Sequence, residues 1–210
     1  MKIFTIPLSD VMTTNCYFYM DEESKCGFLI DPAAEAEKLF ALIKQNGWTV
    51  KKILLTHGHF DHIGAVEFLY TALNVPYLIH QNGKQYLQNP TWNLSAYNGN
   101  PIILENATYV SNGDSIPLES NGKVICTLQV LHTPGHTKDS VVYYDEQNDI
   151  AFVGDTIFKD GIGATHFPGG NEKELFYSIQ NVVFALPEQT ILYSGHSESV
   201  SLKQRKKNFL

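Results

Sequence analysis

The stretch that decides the fold is Lys52-Ile53-Leu54-Leu55-Thr56-His57-Gly58-His59-Phe60-Asp61-His62. Its first five residues read as a short buried strand. The next six bring three imidazoles and a carboxylate around one glycine, with Phe60 between them as a packing residue. Beyond it, Ile63, Val66, Leu69 and Leu73 recur at helical spacing and predict an amphipathic helix over 63–73. The cluster is therefore expected on a strand-to-helix turn, where side chains can converge on one point.

Working outward toward the start, residues 1–7, 16–20 and 26–30 read as strands separated by turn formers at Ser9-Asp10 and Asp21 to Lys25. Asp31-Pro32 is expected to open a helix, with Asp31 as N-cap and proline in the first turn. Ala36, Leu39, Phe40 and Ile43 supply its apolar stripe and Gly47 its stop. On the other side, a strand at 76–80 and a short helix at 82–87 lead into an irregular segment, 88–100. Trp92 and Tyr97 there either cover the core edge or form a substrate lid. Strands follow at 107–110, 114–118, 123–131, 140–144 and 149–153. Asn171 and Glu174 resemble a capping box for a helix through Ala185. A strand at 189–194 and the basic run Lys203 to Lys207, read as a solvated helix face, complete the pattern. Two β-rich batches, each followed by helix, predict a layered α/β (α+β) domain over 1–210, with two sheets inside and helices outside.

The 210 residues are 43% hydrophobic and 18% charged, enough for one soluble domain with a full core. A net charge of -7 disfavours a nucleic-acid binder, which carries a basic stripe. No leader-like apolar region opens the sequence, and no apolar run approaches the ~18 residues of a membrane span. Cys16, Cys26 and Cys126 show no metal-type spacing. They read as core residues of a protein in a reducing cytoplasm.

Three more residues share the placement of the histidine run. His136 follows the strand 123–131, Asp155 ends 149–153 and His196 ends 189–194, each directly after a glycine. Five histidines and two aspartates can thus meet at one sheet edge, whereas His80 and His132 read as ordinary core or surface residues. Seven ligands are too many for one four-coordinate ion. Two ions sharing a carboxylate fit the count: three histidines for one, Asp61, His62 and His196 for the other, and Asp155 as the bridge. Such a pair traps a hydroxide and lowers the pKa of bound water to ~7. With no thiolate ligand, zinc is favoured and iron or manganese remain open.

These residues resemble the metallo-β-lactamase superfamily, with its His-x-His-x-Asp-His run and later Gly-His, Gly-Asp and Gly-His. Finer matches resemble the glyoxalase II-like hydrolases: Asn15-Cys16-Tyr17, Asp31-Pro32, Asn93-Leu94-Ser95, Thr133-Pro134-Gly135-His136-Thr137, Gly154-Asp155-Thr156-Ile157-Phe158, Pro168-Gly169-Gly170 and Asn208-Phe209-Leu210. The resemblance implies a four-layer αββα sandwich and a dinuclear site, with His57, His59 and His136 on the first ion, Asp61, His62 and His196 on the second, and Asp155 bridging. Two departures stand out. Gly163-Ala164-Thr165-His166 replaces the usual Gly-Arg-x-Asp, and Ser197-Glu198-Ser199 replaces Gly-Pro-x-Thr. The resemblance does not extend to the C-terminal helical domain with which glyoxalase II helps hold glutathione, so glutathione specificity is not expected to carry over.

The activity this implies is hydrolysis of a small-molecule thioester or related ester by a bridging hydroxide, with Asp61 and Asp155 orienting the nucleophile. A thiolate leaving group needs little acid assistance, which suits a site without a separate general acid. The competing readings are a mononuclear iron sulfur dioxygenase on the three-histidine site, a lactonase or β-lactamase, and a non-catalytic metal-binding module.

Overall fold

In the strand Val141–Asp145, Val141 and Tyr143 join one apolar cluster while Val142 and Tyr144 join another. Successive side chains of a strand leave on opposite faces, so this strand is buried on both sides and lies inside a stack of layers. Phe28 and Ile30 likewise face one cluster and Leu29 the other.

The computed structural model describes residues 1–9 and 11–209. The first sheet runs in chain order: β1 (Lys2–Ser9), β2 (Thr13–Met20), β3 (Cys26–Ile30), β4 (Thr49–Leu54), β5 (Tyr77–His80) and β6 (Thr108–Val110). The second contains β7 (Ser115–Ser120), β8 (Lys123–His132), β9 (Val141–Asp145), β10 (Ile150–Gly154), β13 (Ile191–Ser194) and β14 (Val200–Ser201), in the order β14-β13-β10-β9-β8-β7. Between β10 and β13 lies a small hairpin, β11 (Ile157–Phe158) with β12 (Gly161–Ile162).

Three apolar layers bind four structural ones. Tyr17, Tyr19, Phe28, Leu54, Tyr143 and Phe152 fill the space between the sheets. Helices α1 (Ala36–Asn46) and α3 (Val66–Leu73) cover the first sheet through Leu39, Ile43, Val66 and Leu69. Helices α5 (Glu172–Asn181) and α6 (Leu202–Lys207) cover the second through Leu175, Ile179 and Leu202. This is the expected αββα order. Between α1 and α3 comes the short α2 (Phe60–Ile63), and α4 (Lys84–Leu87) follows β5. No helix among the described residues is long and apolar enough to cross a membrane.

Several local expectations are corrected. Asp31 does not cap a helix. Its backbone is left-handed (φ 49°), its side chain is buried, and α1 starts only at Ala36. The expected helix 63–73 is two pieces, because Ala65 N–H donates to the Pro32 carbonyl and breaks the run between α2 and α3. The helix opened by Asn171 ends at Asn181, followed by a separate turn at 183–185. Asn171 does cap it, accepting from the amides of Lys173 and Glu174. Within the basic run, Arg205 is buried rather than solvated: its guanidinium donates to the Phe158 and Gly161 carbonyls. The Ser9-Asp10 turn and the Asn208-Phe209-Leu210 end lie partly outside the described residues.

Candidate metal centre

Strand β4 and the residues after it deliver the histidine run. Leu55 and Thr56 are buried, and α2 then carries Asp61 and His62. The second sheet delivers the rest from equivalent strand ends. After β8, Gly135 adopts φ +136°, and a Cβ there would collide with the backbone of Leu175 in α5. Only glycine fits this turn, which aims His136 inward. After β13, Gly195 packs against Asp155 and His62, where a side chain would occupy the position their atoms need. The recurring glycines therefore mark close packing at one shared edge.

All seven expected ligand residues meet there. Their donor atoms form three overlapping groups, each within 4.8 Å: His57, His59 and His136; His57, His62 and Asp155; and Asp61, His62 and His196. Asp155 lies between the outer two. Its Oδ1 is 3.4 Å from His62 Nε2, and its Oδ2 is 3.7 Å from His136 Nε2 and 3.2 Å from His196 Nε2. Asp61 Oδ2 is 3.2 Å from His196 Nε2.

The outer nitrogen of each ring fixes where the inner one points. His136 Nδ1 donates to the Ala164 carbonyl at 2.7 Å, and His196 Nδ1 to the Thr13 carbonyl at 2.8 Å. His62 Nδ1 donates to Asp31 Oδ2 at 2.9 Å. The Thr56 hydroxyl donates to the same Asp31 oxygen at 2.6 Å and is positioned to accept from His57 Nδ1 at 3.2 Å. One carboxylate thus orients a ring in each outer group. A helix start at Asp31-Pro32 does not anticipate this use of Asp31, although the dipeptide is among the residues that carry the family resemblance. His59 is turned the other way, with Nδ1 facing His136 Nε2 at 3.0 Å.

The electrostatics divide the cluster. Burial, reinforced by neighbouring imidazoles, pushes His57 and His136 below the ordinary histidine range and His59 down to about 3. His62 and His196 are also penalised by burial, but the surrounding carboxylates win. Asp155, Asp31 and Asp61 hold His62 well above the ordinary value, and Asp155 and Asp61 lift His196 to about 10. Burial likewise opposes ionisation of Asp155 and Asp61, yet the adjacent imidazoles, His62 foremost, hold both below the usual carboxylate range.

Metal ions fit this donor set. Nε2 of His57 and His62 and Oδ1 of Asp155 are buried without a hydrogen-bond partner, a costly arrangement for polar atoms unless a cation binds them. The atoms are nitrogen and oxygen donors on oriented rings, as divalent ions require.

Other sequence candidates fall outside. His80 and His132 stack on each other with ring centroids 4.0 Å apart, away from the cluster. His166 is exposed and packs on Phe167. Phe60 does more than pack: it lines a cavity of about 300 Å³ over the ligands, with Met12, Leu94, Phe158, Ala164 and Phe167. In the 88–100 segment Trp92 packs on Tyr86, so it covers the core edge, whereas Tyr97 stands at the cavity rim.

The sequence profile described as Metallo-beta-lactamase superfamily matches residues 9–196. This chain belongs to that superfamily. It is 30% identical to the Haemophilus influenzae protein named hydroxyacylglutathione hydrolase GloC over 99% of this chain and 96% of that one. Among solved structures, BLEG-1 B3 metallo-beta-lactamase superposes with a TM-score of 0.90 at 34% identity, covering 98% of this chain and 97% of that one. TTHA1623, in a di-iron-bound form, superposes with a TM-score of 0.83 at 32% identity, covering 99% and 100%. Membership, the hydrolase relative and the ligand cluster together mark a metal-dependent hydrolase acting on a small molecule.

Proposed function

We propose that this protein is a hydrolase that cleaves thioesters or related esters with two divalent metal ions. His57, His59 and His136 would hold one ion and Asp61, His62 and His196 the other. The observation that carries this reading is the placement of Asp155, whose two oxygens reach toward both groups. Ions bound there supply an activated water as nucleophile and a Lewis acid for the carbonyl oxygen.

The chain's own residues do the remainder. Asp61 and Asp155 orient the attacking water from the cavity floor. Met12, Phe158, Ala164 and Phe167 limit how much bulk water reaches the carbonyl. Among the described residues lining that inner cavity there is no lysine or tyrosine, and its only histidines are two of the proposed ligands. A leaving group that needs no proton from the protein, a thiolate, suits such a wall. The nitrogen and oxygen donor set supports zinc and accommodates iron, as the di-iron neighbour does, or manganese. The three buried, unbridged cysteines support a reducing compartment such as the cytoplasm.

Elemental analysis beside hydrolysis assays on S-lactoylglutathione, a simple alkyl thioester, a lactone and a β-lactam tests the reading. Two ions per chain and cleavage of a thioester are expected. Cleavage of the β-lactam or lactone alone would reassign the substrate, and one iron per chain with oxygen uptake would replace hydrolysis by sulfur oxidation.

A further inference from the structure

The cavity above the ligands continues outward into a second cleft of about 440 Å³, lined by Val11, Phe60, Leu94, Tyr97, Asn98, Phe167 and Pro168. Phe60, Leu94 and Phe167 belong to both parts, so the path from the cluster to solvent is one apolar channel. No described lining residue is a lysine or arginine, and the only carboxylates are Asp61 and Asp155. Ala164 is part of this wall. The groove on the other side of His196 is different in kind, with Thr5, Thr13, Asn15, Ser197, Glu198 and Ser199.

Two further facts show that the apolar path is built, not left over. Val11, Met12 and Tyr97 are 64%, 48% and 74% exposed at its rim, so core packing does not account for them. Leu94 sits in the left-handed region at φ 69°, an unfavourable conformation for leucine. It is held there by Asn93, which is fully buried, donates to the Tyr86 and Ile102 carbonyls, and accepts from Phe60 N–H through its own carbonyl. The strained turn places an isobutyl group in both parts of the channel.

We propose that this channel takes an apolar acyl arm, making the preferred substrates thioesters of medium-length fatty acids rather than of thiol peptides with free carboxylates. The proposal rests on the thioester reading above. In the reaction, water oxygen bonds to the acyl carbon and the carbon–sulfur bond breaks. The thiolate takes up the released proton, leaving a fatty acid and a free thiol. Anionic glutathione arms would find no lysine or arginine along the channel, and the groove beyond His196 offers them only Glu198, already paired with Lys159.

The test is kcat/KM of the metal-loaded protein on acetyl, butyryl, hexanoyl and octanoyl thioesters of N-acetylcysteamine, with S-lactoylglutathione alongside. Each added methylene is worth up to roughly fourfold, so the hexanoyl ester should exceed the acetyl ester by at least about tenfold and S-lactoylglutathione should fall below it. Leu94→Asn keeps a residue that tolerates the left-handed backbone and should lower the hexanoyl-to-acetyl ratio severalfold. Thioester hydrolysis with a flat chain-length profile, or with S-lactoylglutathione preferred, overturns the acyl channel and leaves the hydrolase reading standing. If no thioester is cleaved, the thioester reading fails. The channel is then judged by calorimetry with the matching S-alkyl thioethers: affinity that climbs with length supports it, and affinity indifferent to length rejects it.

Discussion

The two outer groups of the cluster share a floor but not a character. His57, His59 and His136 are fully buried imidazoles whose pKa values lie below the ordinary range, so they are neutral and ready for a cation at pH 7. Asp61, His62 and His196 pair a carboxylate with two imidazoles held protonated by the acids around them, and His196 remains 17% exposed. The first group is preorganised. The second would have to surrender protons before it could hold a cation. Two neighbouring sites made from nearly the same residue type can therefore differ in affinity, pH response and exchange rate, because burial governs one and carboxylates govern the other.

The strongest way to break this contrast is to remove what both halves share. Asp155→Ala should drop metal content from two ions per chain toward none and kcat/KM by roughly 10²–10³-fold or more, read by elemental analysis and thioester assay. Full activity with two ions bound in that variant would end the bridging role. Asp31→Asn is next. Loss of an orienting carboxylate costs about 10–100-fold in metal affinity, and the second group should suffer more, since His62 bonds Asp31 directly and His57 only through Thr56. Equal losses at both ions would contradict that ordering.

Acidification sharpens the comparison without mutation. The raised pKa values of His62 and His196, about 10 for His196, mean that protons compete with metal at both rings, and lowering pH favours the proton. Between pH 8 and pH 6 the second ion should weaken by roughly tenfold per pH unit for each proton displaced, while the first changes little. Chelator competition at the two pH values distinguishes the ions. The smallest effect is expected at His166→Ala: the ring is exposed against Phe167, so both ions should stay.

Legibility followed the range of the interactions. The convergence of the seven His and Asp side chains was readable because each follows a strand with its own local signature, a glycine or a dense histidine run. The sheets were readable from alternation and turn chemistry. Asp31 was not, because a local rule for aspartate before proline gave a helix cap, while the deciding partners, Thr56 and His62, arrive 25 and 31 residues later through the parallel β3–β4 pairing. Arg205 was misread for the same reason, since its acceptors lie 47 and 44 residues upstream in the small hairpin. The apolar channel also went unread, because Met12, Phe60, Leu94, Phe158 and Phe167 share no periodicity.

Thr13 and Asn15 clasp the turn that bears His196: the Thr13 carbonyl accepts from the ring, and the Asn15 amide donates to the Ser194 and Ser197 carbonyls, across 179 to 183 positions of chain. During translation the first sheet and its histidine run emerge well before His196 and the turn that Thr13 and Asn15 clasp. Contacts this distant in sequence form late. Until then His57, His59, Asp61 and His62 lack the partners that the second sheet brings, His136 and His196 among them. The cluster is therefore completed in one long-range step, when the turn bearing His196 docks on β2.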